Sequence, residues 1–162
     1  MDDPDTVRKS APAEAPERAS YDCDLYSWAI EQAALLRAGR LDQVDALNIA
    51  EEIDDVGDEQ YDKLESAIGV IVLHLLKWDH QPQRRSRSWT LSSAVHRKRA
   101  LRVLRKNPGL KPKVDEAIVE AYETARLEAA SQTLLEEDVF PLECPYSRGE
   151  ILDREVRWPP AD

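Results

Sequence analysis

Three groups of side chains in this sequence have the types and spacing for chemistry. In EEIDD, residues 51–55, Glu51, Glu52 and Asp55 form an EExxD arrangement on one helical turn, with Asn48 a turn earlier. Carboxylates so placed can offer hard oxygen ligands to Mg²⁺. In HLLKWDHQPQ, His74 stands three residues before Lys77 and seven before Gln81, which puts all three on one helical face. That makes His74 a candidate acid or base and Lys77 and Gln81 candidate ligand contacts. Arg84 and Arg85 follow in a short polar loop and are suited to hold phosphate. Each group also has a plainer reading. Acidic helix faces are commonly solvated or salt-bridged, and a lone histidine in an apolar helix is more often a hydrogen-bonded core residue than a ligand. No Ser or Cys stands at a spacing that would make a nucleophile with His74.

The elements that must position these residues are helical. Periodicity predicts helices over about 22–38, 42–56, 59–79, 88–106 and 112–135, then a short C-terminal helix. In the first, Leu25, Trp28, Ala29, Leu35 and Leu36 form the apolar face, with Gln32 in its middle and Gly39 as the stop. The second is expected to bury Ala46, Ile49, Ala50, Ile53 and Val56 and to end at Gly57. The third is apolar almost all round between Val70 and Leu76, as befits the centre of a bundle. Pro82 must stop it, and Ser86 or Ser88 can cap the fourth helix, on which Trp89 and His96 face inward. Ser147 and Glu150 have capping-box spacing ahead of Ile151 and Leu152, so the tail is expected to lie across the bundle. No segment alternates with period two, so the class is all-α: a single-domain helical bundle over 20–155. A disordered leader over 1–19 and a tail over 156–162 flank it.

Charge narrows the partners. The 162 residues carry a net charge of −10, which argues against nucleic acid or an anionic membrane as a partner through overall attraction. The charge is segregated: ten acids and one lysine between 41 and 65, against eleven Lys or Arg and no acid between 80 and 114. In an antiparallel bundle these stretches are expected to neutralise one another. Gln32, Asn48, the carboxylates, His74, Lys77, Gln81, Arg84 and Arg85 would then meet at one end. Cys23 and Cys144, far apart and outside any CxxC, read as reduced thiols of a cytoplasmic protein. No apolar run approaches the length of a membrane span.

LYSWAIEQAALLRAGRLDQVD, NIAEEIDDVG, HLLKWDHQPQRRSRSW and FPLECPY, in that order, resemble the bacterial family catalogued as domain of unknown function twenty-nine. The resemblance covers roughly residues 20–155 and implies an all-helical cytoplasmic bacterial protein with no assigned activity. Its pattern falls on Trp28, Gln32, Gly39, Asn48, Glu51, Glu52, Gly57, His74, Lys77, Trp78, Gln81, Pro82, Arg85, Ser86, Ser88 and Trp89, among others. EExxD also resembles the first half of the signature of all-α nucleoside triphosphate pyrophosphatases. The ExxD of Glu59 and Asp62, however, comes closer behind it than that family's spacing.

The sequence therefore leads to a non-enzymatic binding or adaptor module with a protein partner and no cofactor. The alternative is a Mg²⁺-dependent phosphohydrolase acting on nucleotides or related phosphates. In it Glu51, Glu52 and Asp55 hold metal, Arg84, Arg85 or Lys77 hold phosphate, and His74 is acid or base. The oligomeric state is open, a homodimer included.

Overall fold

The computed structural model describes residues 19–159. The leader expected over 1–19 lies outside them except for Ala19, as does the end of the expected tail. The expected all-α class is found: five α-helices joined by 3-10 turns, and no strand among the described residues. None of these helices is long and apolar enough to cross a membrane. The described residues divide into two compact units, one up to Ile53 and one from Asp54 onward.

In the first unit, α1 spans Leu25–Arg37, started by the Asp24 carboxylate, which accepts from the Ser27 amide at 3.0 Å. Gly39, at φ 69°, turns the chain out of it in the left-handed region where a side chain is strained. Trp28, Gln32 and Leu35 are the buried residues of α1. Leu25, Ala29 and Leu36, expected inside, are exposed. Asp45 then begins α2, its carboxylate accepting from the Asn48 amide at 3.4 Å.

The largest departure from expectation is α2 itself, which runs unbroken over Ala46–His80. Two helices meeting at Gly57 were expected. A lone glycine inside a helix costs only about 1 kcal/mol relative to alanine, and Gln60 and the glutamates around it are good helix formers. Gly57 does not take the positive φ of a stop. Burial departs from expectation as well: Ala46, Ala50, Ile53 and Val56 are exposed, Ile53 by 65% and Val56 by 61%.

From Leu64 onward α2 is the spine of the second unit. Leu64, Ile68, Ile71, Val72, Leu75 and Leu76 have no exposed surface at all. Pro82 opens a 3-10 turn, and α3 (Arg87–Lys106) returns beside α2. The two are antiparallel: Asn107 meets Gln60 at one end, and Trp89 meets Lys77 at the other. A 3-10 stretch containing Pro112 leads to α4 (Val114–Thr133), whose Val114, Ala117, Ala121, Ala125 and Ala129 complete the core. Burial of each fully covered aliphatic side chain contributes about 1.5–3 kcal/mol. The C-terminal segment crosses this three-helix core as expected. Phe140, Tyr146, Ile151 and Leu152 are buried, and α5 (Arg148–Asp153) begins with the Ser147–Glu150 capping box.

Candidate functional site

The polar residues singled out from sequence separate into two places, and a third gathers part of the basic face of α3. In the first unit, Gln32 and Asn48 are held by Asp45. Gln32 Oε1 accepts from the Asp45 amide at 2.8 Å, and Asn48 Nδ2 and Trp28 Nε1 donate to Asp45 Oδ2 at 2.7 and 3.2 Å. The Asn48 side-chain bond comes first in holding the Asp45 carboxyl below its ordinary range. Tyr21 donates to Glu52 at 2.8 Å. Most of these side chains line a cavity of about 400 Å³ with Ser20, Gln43 and Val44. Their bonds among themselves are those of a helix start fastened to the preceding helix.

The second place is the end of α2. Lys77 is buried, donates to Gln132 Oε1 at 2.8 Å and lies 4.6 Å over the Trp89 ring. Burial lowers its pKa. Gln81 donates to the Thr133 carbonyl at 2.8 Å and so satisfies the buried C-terminal carbonyl of α4. Arg85 donates through Nε to the Trp78 carbonyl at 2.9 Å and stacks on the same indole at 4.8 Å. Arg84 is exposed. Beside them Asp79 receives two bonds from Arg154, at 2.8 and 2.7 Å, and one from Tyr146 at 2.9 Å. Burial acts most strongly on the Asp79 carboxyl and raises its pKa, but the bonds from Arg154 and Tyr146 outweigh it and leave a net lowering. This is a joint that satisfies its own polar groups. His74 is an exception: its Nδ1, like Nη2 of Arg97 on α3, is buried with no hydrogen-bond partner among the described residues. Burial first, then the charges of Lys77 and His96, depress its pKa to about 4.

The third place was only half visible in the sequence. Between α2 and α3 runs a groove of about 420 Å³ lined by Gln60, Lys63 and Ser66 on one wall and His96, Arg99, Arg102, Val103 and Lys106 on the other. It holds four cations and no carboxylate. Lys63 pairs with Glu59 on its own helix at 2.7 Å. Arg99 meets the His96 ring nitrogen at 3.1 Å. Among the described residues, Arg99, Arg102 and Lys106 have no ion-pair partner. Among the described residues no ion pair joins the basic stretch to the acids at 54–65, against the expected neutralisation. The physical reason is geometric: on the continuous α2 the side chains that line the groove opposite α3 are Gln60, Lys63 and Ser66, and the carboxylates of the same stretch do not line it.

The same continuity separates the other candidates. Asp55 and His74 lie on one helix, nineteen residues apart, which is about 28 Å at 1.5 Å per residue. Their expected meeting at one end of the bundle is thus excluded. Glu51 and Asp55 are exposed, and among the described residues no three His, Cys, Asp or Glu side chains are grouped to hold a metal ion. Cys23 and Cys144 are free thiols. In the groove, Arg99, Arg102 and Lys106 could be found from their spacing of three and four on a helix. Lys63 and Gln60 could not, because they reach the groove only through the pairing of α2 with α3.

No curated protein and no solved structure matches the chain. Residues 20–156, which include the joint and the groove, match the family model described as Domain of unknown function DUF29, and the chain belongs to that family.

Proposed function

We propose that this protein is a non-enzymatic binding module that takes a short acidic segment of a partner protein in the groove between α2 and α3. The observation that carries the reading is the set of Arg99, Arg102 and Lys106, which share one groove wall and meet no carboxylate among the described residues. Cations left together cost repulsion, which an anionic ligand relieves. From His96 to Lys106 the α3 wall is roughly 15 Å long, about the reach of a few successive carboxylates. A long polyanion would extend beyond that wall. At physiological salt the screening length is about 8 Å, so each part of it would feel the nearest surface, and ahead of Gln60 on α2 that surface carries the exposed carboxylates of Asp54, Asp55 and Asp58. A short acidic segment avoids this penalty.

The test is fluorescence anisotropy of a labelled octa-glutamate peptide, with a short single-stranded oligonucleotide and inorganic phosphate as competitors. The expected result is saturable peptide binding that weakens with salt and is lost in the Arg99→Glu, Arg102→Glu double variant. No binding at low salt by folded, monomeric protein would overturn the reading, as would an oligonucleotide that binds more tightly than the peptide.

A further inference from the structure

We infer that in the free protein the acidic segment in this groove is residues 54–62 of α2 from a second copy of the chain, so that the protein is a homodimer. This rests on the reading that the groove takes acidic segments. Five of these nine residues are acidic, namely Asp54, Asp55, Asp58, Glu59 and Asp62, and all five are exposed. Glu59 alone among them has an ion-pair partner within the described residues. The chain therefore carries an uncompensated acidic helix surface and an uncompensated basic groove. Within one copy only Glu59 joins them, through Lys63 on its own helix, and Asp54, Asp55, Asp58 and Asp62 make no ion pair among the described residues. Two copies can join the rest.

Where α2 crosses α2 of the second copy antiparallel just ahead of Lys63, the acids of each helix reach the basic wall of the other. The two-fold axis then makes the contact twice, as an isologous interface requires. The crossing point suits close approach. Gly57 has open space where its Cβ would be, and Val56 beside it is 61% exposed. Coulomb attraction dominates this contact, so it sets partner and register and is sensitive to salt.

Sedimentation velocity of the full chain tests it with two charge-reversed variants. The first is Asp54→Lys, Asp55→Lys, Asp58→Lys; the second is Arg99→Glu, Arg102→Glu, Lys106→Glu. Wild type is expected to be dimeric at low salt, with a dissociation constant that rises at least about tenfold in high salt. Each variant alone is expected to be monomeric, and their equimolar mixture to form a heterodimer with both contacts restored. A wild type that stays monomeric at low salt would overturn the inference, and so would a dimer indifferent to salt and to both reversals. The salt series needs wild type only, so it decides even if a variant fails to fold. Acidic-peptide binding by the first variant separates the two ideas. Binding without a wild-type dimer leaves the groove's function standing and removes the second copy; a restored heterodimer without peptide binding does the reverse.

Discussion

Replacing His74 with leucine should make the protein less sensitive to acid. The Nδ1 of His74 is buried without a partner among the described residues, and its pKa is depressed to about 4. An unfolded histidine titrates near 6.5, so between these values the unfolded chain binds the proton and the folded chain does not. Stability from this group is complete above the unfolded value and is lost as pH falls from about 6.5 towards 4. The full shift corresponds to ~2 kcal/mol lost by about pH 5 and ~3 by about pH 4. The ring is partly exposed, and solvent screening reduces the expected loss to ~1 kcal/mol at about pH 5. Urea denaturation of wild type and His74→Leu, followed by circular dichroism at neutral and mildly acidic pH, isolates this contribution because the other titrating groups are common to both. Wild type should lose ~1 kcal/mol more than the variant on acidification. A stability gap that does not change with pH would refute the argument.

The joint and the core give further expectations. Lys77→Met removes a buried cation that has no carboxylate partner among the described residues and leaves Gln132, which water can reach; its unfolding free energy should stay within ~1 kcal/mol of wild type, while Lys77→Glu should cost ~3 kcal/mol or more. Ile71→Ala, with no exposed surface in the original side chain, should cost ~2–5 kcal/mol in chemical denaturation, whereas Ile53→Ala should change stability by less than ~0.5 kcal/mol. Ser147→Ala breaks the capping box of α5 and should lower stability by ~1 kcal/mol. It should also speed hydrogen exchange at Ile151 and Leu152.

Helix identity was legible because periodicity of 3.6 is local. Pro82, Ser147 and Glu150 mark helix ends by chemistry that acts within a turn. Gly57 was not legible, since glycine stops a helix only where the backbone takes a positive φ, and tertiary packing decides whether it does. Ile53 and Val56 show a second limit: an apolar stripe states which side of a helix prefers cover, not that cover exists. The joint was legible as a motif but not as a function. Lys77, Gln81 and Arg85 find their partners in Gln132, Thr133 and Trp78, and the first two of these lie more than fifty residues away. The groove needed both kinds of information, since Arg99, Arg102 and Lys106 share a face by sequence while Lys63 joins them through helix pairing.

The most direct test of the groove is amide chemical-shift mapping on the isotope-labelled protein as the octa-glutamate peptide is added. The predicted result is a continuous set of shifts over residues 60–66 and 96–106, with salt restoring the free spectrum. Shifts confined to other surfaces, or none at a peptide concentration where anisotropy reports binding, would contradict it.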